Sequence, residues 1–281
     1  MSRIEKRFAQ LKAAGRGTLI PYLEAFDPDR ETSLALLKAM PSHGADLIEI
    51  GAPFSDPSAD GPTIQKAALR GLKAGATLRG VLEMVRIFRE EDGETPIILM
   101  GYLNPIDTYG AEAFCRDASA CGVDGLIIVD LPVEEADFIM PYAERYGLDI
   151  IRLIAPNTPD SRLHFLTAQA SGFLYYVSIT GVTGTRTASH EELAAALPRI
   201  RAVSPLPIAI GFGIRTPAQA AIAVQSGDAV IVASSLITTL DETLQDGRAT
   251  VRTLPSILKQ LKAISEAVHQ SAKAALTVAE T

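Results

Sequence analysis

The sequence predicts an α/β protein in which eight parallel strands close into a single (β/α)8 TIM barrel. Eight short apolar runs recur at intervals of about 20 to 50 residues, and helix-patterned segments separate them. The runs are continuously apolar rather than alternating, which is typical of strands buried on both faces. An open doubly wound sheet is the alternative, but no GxGxxG motif follows the first run, and polar loop residues follow nearly every run. We therefore predict the closed barrel.

The strands can be placed on the sequence in order. An amphipathic helix with Ile4, Phe8 and Leu11 on one face precedes the first strand, and it has the pattern of neither a signal peptide nor a membrane span. Extra helices are predicted in the loops after the second and eighth strands, and a long amphipathic helix is predicted over residues 251–268. Arg152, inside the fifth run, is predicted to point towards the helices and to pair there. The predicted strands are residues 18–23, 46–51, 96–102, 125–130, 149–154, 173–179, 207–213 and 229–235.

The composition indicates one globular domain. The chain has 281 residues, of which 47% are hydrophobic, and we predict a single barrel over residues 1–268 with a C-terminal tail, residues 269–281, that can fray. The net charge of −7 disfavours general binding to nucleic acid or to membranes, so an anionic substrate needs a local positive site. Cys115 and Cys121 have no CxxC spacing, which favours reduced thiols and a cytoplasmic protein.

The second strand and the loop after it carry two carboxylates. Glu49 lies inside an apolar run, where a charge is costly unless it is paired or protonated, and Asp60 lies in a long Asp-Gly-Pro loop. One acid on a strand and one on a loop predict acid/base chemistry with a closing step. Three alternatives stay open: Glu49 as a satisfied core carboxylate, Asp60 as a group that only bonds the turn backbone, and Asp130, at the end of the fourth strand, as the catalytic acid.

The later loops predict a phosphate site. Residues 178–189 are rich in Gly, Thr and Ser, a composition suited to cradling an anion and to forming a lid. Gly213 precedes a helix that Thr216 would cap, and Ser234 and Ser235 precede another, so we predict a phosphorylated substrate. The eight runs contain no lysine, which argues against a Schiff-base aldolase. The four histidines lack metal-ligand spacing, so no metal site is predicted.

These motifs resemble the alpha subunit of tryptophan synthase. Glu49 is followed by GAPFSDPSADGP, and the chain continues with LMGYLNP at 99–105, DLP at 130–132, YYVSITGVTG at 175–184 and GFGI at 211–214. The resemblance extends from about residue 17 to residue 236. It implies a barrel that cleaves indole-3-glycerol phosphate to indole and glyceraldehyde 3-phosphate by a retro-aldol step, in the biosynthesis of tryptophan and without a cofactor.

The resemblance also implies roles for individual residues. Glu49 is the acid/base group, Asp60 holds the indole nitrogen, and Thr183 meets Asp60 when the lid closes. A beta subunit that carries pyridoxal phosphate is the implied partner in an alpha2-beta2 complex, and Pro53, Asp56 and Pro57 are its implied contact. The implied substrate pocket is formed by Tyr22, Met100, Ile127, Val129, Leu153, Tyr175 and Thr183, and the implied phosphate site by Gly184, Gly213, Ser234 and Ser235.

Two positions depart from the family pattern, and two other functions remain open. Ser234 and Phe26 each stand where the family usually has a glycine, which affects phosphate binding at Ser234 and the packing of the first loop around Phe26. The alternatives are a free-standing indole-3-glycerol phosphate lyase and a non-catalytic subunit that activates its partner. The presence of both carboxylates argues against the second alternative.

Overall fold

The computed structural model of the chain describes residues 1–177, 190–211 and 213–279, and the strands in these residues form one parallel sheet. The strand order is β5-β4-β3-β2-β1-β9-β8-β7-β6. The strands are β1 (Thr18–Glu24), β2 (Ile48–Gly51), β3 (Ile97–Gly101), β4 (Gly125–Ile128), β5 (Asp149–Ile150), β6 (Arg152–Ile154), β7 (Leu174–Val177), β8 (Ile208–Gly211) and β9 (Ala229–Val232).

The sheet closes into a barrel because β5 and β6 are two halves of one strand. They are separated only at Ile151, whose N–H donates to the carbonyl of Leu126 at 3.0 Å, while the carbonyl of Ile150 accepts from the N–H of Ser171 at 2.9 Å. The two ends of the strand order are thus the same segment of chain. The predicted eight-stranded barrel is confirmed, and the fifth predicted strand, residues 149–154, contains both halves.

Helices surround the barrel as predicted. Ile4, Phe8 and Leu11 are the buried residues of α1, and both extra-helix predictions are confirmed by α3 and α4 after β2 and by α11 and α12 after β9. The helices are α1 (Arg3–Ala13), α2 (Arg30–Ala39), α3 (Pro62–Lys73), α4 (Leu78–Arg89), α5 (Leu103–Tyr109), α6 (Ala111–Cys121), α7 (Met140–Tyr146), α8 (Asp160–Ala168), α9 (His190–Arg201), α10 (Pro217–Ser226), α11 (Ser234–Thr243) and α12 (Thr253–Ala279).

The last described helix, α12, is 27 residues long. In the part of the chain that the structure describes, no helix combines the length and the apolar composition that a membrane crossing requires. The helix α12 begins two residues after the predicted start at residue 251 and continues past residue 268. Where the barrel domain ends and the tail begins stays a prediction.

Two hydrophobic clusters pack on opposite faces of the strands. One fills the barrel interior and includes Ile20, Ile98 and Ile127, and the other lies between the strands and the helices. The side chain of Arg152 points to the helix side, as predicted, while Leu153 packs against the interior cluster. The Nε of Arg152 donates to the carbonyl of Gln169 at 3.3 Å, so Arg152 pairs with a backbone carbonyl. Burial lowers the pKa of the Arg152 guanidinium.

The loop after β1 contains a residue in a left-handed conformation. Phe26 has φ 64°, a backbone region that favours glycine, the residue that the resemblance led us to expect at this position. Its side chain is 5% exposed and packs against α4. A Cβ placed on Gly80 of that helix would lie 2.8 Å from the Phe26 ring. The bulk of Phe26 is therefore used in packing against α4, on the helix side of the barrel.

Candidate active site

A cavity of about 320 Å³ contains most of the predicted site residues. Nine of the predicted residues lie in its wall, together with seven that the sequence reasoning did not assign to the site. The predicted wall residues are Tyr22, Glu49, Asp60, Met100, Val129, Leu153, Tyr175, Gly213 and Ser234, and the others are Ala59, Ile64, Val177, Ile214, Arg215, Ile231 and Ala233. Most of these side chains are apolar, so the wall suits a flat aromatic ring, while a few polar groups converge on it.

Glu49 has the environment of a proton-transfer group. It lies in β2 at 1% exposure, and its Oε2 atom has no hydrogen-bond partner among the described residues. Burial raises the pKa of Glu49 to about 8, and the nearby charge of Asp60 contributes. A core carboxylate with a structural role would have its oxygens hydrogen-bonded. The geometry therefore favours the functional interpretation of Glu49 over the satisfied core carboxylate.

Asp60 lies just before α3 and is held by Tyr102, the residue that directly follows β3. The hydroxyl of Tyr102 donates to Oδ2 of Asp60 at 3.1 Å and accepts from the N–H of Ala59 at 3.1 Å. The ring of Tyr102 stacks on Phe54, with centroids 5.2 Å apart. Burial raises the pKa of Asp60 to about 6, while the hydrogen bond from Tyr102 lowers it. The side chain of Asp60 is thus held by a tyrosine and faces the cavity.

The two carboxyls differ in protonation at neutral pH. With a pKa of about 6, Asp60 is mostly ionised at pH 7, whereas Glu49, with a pKa of about 8, is mostly protonated. Environments that separate the pKa values of two acids assign one as a proton donor and the other as a fixed negative charge. The cavity therefore presents one proton and one carboxylate to a ligand.

The predicted phosphate residues lie in or next to the cavity wall. Ser234 is the first residue of α11 and lines the cavity, and the next residue, Ser235, is buried with no partner for its Oγ in the part of the chain that the structure describes. Gly213, with φ 76°, precedes α10, which the side chain of Thr216 caps as predicted. Arg215 is the one positively charged residue among the described lining residues. Arg215 directly follows the GFGI motif, and this position could have identified it as a cavity residue from the sequence.

Comparison with known proteins identifies the family. The family model described as "Tryptophan synthase alpha chain" matches residues 8–266. The tryptophan synthase alpha chain of Granulibacter bethesdensis is 65% identical over 96% of this chain and 98% of its own length, and that of Gluconobacter oxydans is 65% identical over 96% and 100%. The chain belongs to the tryptophan synthase alpha chain family.

Solved structures of the family have the same fold. The crystal structure of tryptophan synthase subunit alpha from Legionella pneumophila str. Paris has a TM-score of 0.88 at 41% identity and covers 95% of this chain and 98% of its own. A structure of Mycobacterium tuberculosis tryptophan synthase has a TM-score of 0.84 at 36% identity, with coverage of 95% and 98%. The function predicted from the sequence is therefore confirmed: the chain is a carbon–carbon lyase of tryptophan biosynthesis that acts on indole-3-glycerol phosphate.

Some site residues expected in a tryptophan synthase alpha chain lie elsewhere. Ile127 is 1% exposed, belongs to the cluster that fills the barrel, and is not among the residues that line the cavity. Thr183 and Gly184 lie outside the described residues. Asp130, the competing acid, accepts a hydrogen bond from the N–H of Leu103 at 2.7 Å and does not line the cavity. Its contact favours a structural role at the start of α5.

The predicted partner surface lies in the loop after β2. Asp56 is exposed, and Pro53 and Pro57 are partly exposed. Pro53 packs against α3, because a Cβ placed on Gly71 would lie 2.8 Å from the proline ring. The same loop continues to Asp60, which lines the cavity, so only a few residues separate the exposed Asp56 from that carboxylate. Among the residues that the structure describes, no cluster of His, Cys, Asp and Glu is suited to hold a metal ion.

Proposed function

We propose that the 320 Å³ cavity carries out the cleavage of indole-3-glycerol phosphate with Glu49 as the acid/base group and Asp60 as the carboxylate that holds the indole nitrogen. The observation that supports this most directly is the pair of pKa values, about 8 for Glu49 and about 6 for Asp60. The reaction needs a proton for the indole ring and a negative charge near its nitrogen. At pH 7 these two residues supply them.

The reaction is a retro-aldol step with two proton transfers. Protonated Glu49 gives its proton to C3 of the indole, and the positive charge that develops on the ring nitrogen is stabilised by Asp60, which accepts the N–H hydrogen bond. The Glu49 carboxylate then removes the proton of the glycerol hydroxyl next to the ring. That oxygen forms the aldehyde, the carbon–carbon bond breaks, and its electron pair restores the indole. Glu49 ends protonated, so the cycle is balanced.

The substrate phosphate would lie at the opposite end of the cavity. Ser234 contributes the amino terminus of α11, where unpaired N–H groups and the helix dipole favour an anion. The Oγ of Ser235, which has no partner among the described residues, is a further proposed donor, and Gly213, Thr183 and Gly184 stay predictions. Arg215 adds a positive charge at this end, in a chain whose net charge is −7. A serine at position 234 keeps its backbone N–H, so phosphate binding there does not require a glycine.

A beta subunit of tryptophan synthase is the proposed partner, in an alpha2-beta2 complex located in the cytoplasm. The exposed outer face of the loop around Asp56 is the proposed contact. Because this loop continues directly into Asp60, a partner bound to its outer face would bias where that carboxylate lies. The free-standing lyase differs from this proposal only in needing no partner.

The deciding experiment is an assay of indole release from indole-3-glycerol phosphate by the purified chain, with and without a beta subunit. We expect activity that rises on addition of the partner and is lost in Glu49→Gln. Asp130→Asn is the matched control, since Asp130 is an acid at a strand end outside the cavity, and it should retain activity. Full activity of the chain alone would contradict the dependence on a partner. Full activity of Glu49→Gln would contradict the proposed chemistry.

A further inference from the structure

A buried carboxyl that the proposed reaction does not use lies next to the cavity. Glu24 is the last residue of β1 and is 3% exposed. The hydroxyl of Tyr22 donates a hydrogen bond to Oε2 of Glu24. Tyr22 lines the cavity, and its Cα is the register partner of the Cα of Glu49 on β2. Glu24 is thus connected through Tyr22 to the wall beside the catalytic acid.

The backbone of β2 leaves room for this hydrogen-bonded pair. Gly51 is the register partner of Glu24, and a Cβ placed on it would overlap the Tyr22 hydroxyl and lie 2.6 Å from Oε2 of Glu24. The ring of Tyr22 therefore runs from a position opposite Glu49 to one over Gly51. The backbone holds one end of the side chain, and Glu24 holds the other. Tyr22 belongs to an apolar cluster with Ile64, Ala67 and Ile237, against which Met100 and Ala233 pack.

Stability alone does not explain an acid at this position. Burial raises the pKa of Glu24 well above its ordinary value, which the hydrogen bond from Tyr22 partly offsets, and the charges of Asp60 and Asp27 raise it further. An apolar side chain of similar length would avoid the cost of burying a carboxyl. What an apolar side chain cannot do is accept the hydrogen bond from the Tyr22 hydroxyl.

We propose that Glu24 is a positioning residue for the lyase reaction, which holds the Tyr22 ring in place as the wall against which the indole ring binds beside Glu49. Without Glu24 the Tyr22 hydroxyl would be buried and unpaired, which favours movement of the ring to a position where the hydroxyl finds a partner or water. The inference rests on the proposed function, because its assay is the cleavage of indole-3-glycerol phosphate.

The test is a double-mutant cycle between the two members of the pair. Glu24→Met removes the acceptor at similar length, and Tyr22→Phe removes the donor. We expect each to lower kcat/KM roughly 10-fold, with KM rising, because ring misplacement of about 1 Å can cost up to 10²-fold. The double variant should be no worse than about 3-fold below either single variant, because the two changes break the same bond. Glu24→Gln, which keeps an acceptor, should stay within about 3-fold of the wild type.

The outcomes separate a positioning role from a structural one. Urea unfolding of the double variant, in which neither a hydroxyl nor a carboxyl is left buried and unpaired, should show stability close to that of the wild type while its kcat/KM stays about 10-fold lower, whereas a structural role predicts that activity recovers together with stability. If Glu24→Met fails to fold, Glu24→Leu takes its place in the cycle. Asp46→Asn is the matched control. Asp46 is a buried acid just before β2, and it accepts a hydrogen bond from the N–H of Leu19, near the start of β1, at 2.9 Å. The kcat/KM of this variant should equal that of the wild type.

Three results would overturn the inference. These are wild-type kcat/KM in Glu24→Met, an additive loss of about 100-fold in the double variant, and a Glu24→Gln variant as impaired as Glu24→Met. A wild-type chain that releases no indole with a beta subunit would instead refute the proposed function, before any variant is compared. The two failures are therefore distinguishable.

Discussion

Replacing Glu49 by glutamine should abolish catalysis and at the same time make the protein more stable at neutral pH. The side chain is 1% exposed and its Oε2 has no partner among the described residues, so the folded chain holds the proton of Glu49 up to a pKa of about 8, against an ordinary 4.5. Glutamine has the shape of the protonated acid and cannot ionise. The variant thus keeps the buried group neutral at every pH.

The direction and size of this effect follow from proton linkage. Between pH 4.5 and pH 8 the unfolded chain binds fewer protons at this position than the folded chain, so the stability of the wild type falls as the pH rises. Each pH unit in this range is worth about 1.4 kcal/mol, which gives on the order of 3 kcal/mol at pH 7. For a protein of this size that is roughly 5 °C in melting temperature. The penalty is absent from the glutamine variant.

The assay is urea unfolding of both proteins at pH 5 and at pH 7.5, together with indole release. We expect nearly equal stability at pH 5, a more stable variant at pH 7.5, and a fall in kcat of about 10³-fold or more, since one residue makes both proton transfers. Binding of a non-cleavable indolyl phosphate should persist. A variant that is no more stable at pH 7.5 than the wild type would refute the argument from burial, and retained turnover would refute the acid/base role.

Three further changes test neighbouring parts of the argument. Asp60→Asn should lower kcat about 10²-fold or more with little change in the binding of the same indolyl phosphate, and an unchanged kcat would reduce Asp60 to a turn residue. Tyr102→Phe removes the hydrogen bond that lowers the pKa of Asp60, so the acidic limb of the kcat/KM profile should move from about pH 6 to higher pH; an unmoved limb contradicts this. Phe26→Gly relieves about 1 kcal/mol of backbone strain but loses a buried ring worth about 3 kcal/mol, so urea unfolding should show a net loss with kcat unchanged.

Of the residues in and around the cavity, some could be predicted from the sequence and others could not. Glu49 could be identified from the sequence because it is a charged residue inside an apolar run. The role of Tyr102 could not be identified in this way, because its hydrogen bond to Asp60 joins the residue after β3 to the loop after β2. Only the folded barrel brings those two segments together. Arg215 likewise enters the cavity from the loop after β8.

The end of the first strand is a correction of a different kind. The sequence prediction ends the strand at residue 23 and assigns Glu24 to a polar loop, but the structure continues β1 through Glu24 and buries it. A glutamate after an apolar run is typical of a strand end facing solvent. Gly51, on the neighbouring strand, leaves space for the Glu24 carboxyl and for the Tyr22 hydroxyl that is bonded to it. The sequence around Glu24 does not reveal this space.

The sequence by itself determined the barrel, the family and the two carboxylates, because strand periodicity and the strand-two motif are local properties of the chain. Only the tertiary structure decided which acid is protonated at neutral pH. The pKa values of Glu49 and Asp60 depend on burial, on the distance between the two acids and on Tyr102, which follows β3. None of these exists until the strands are side by side, since desolvation and charge interaction act through space and not along the chain.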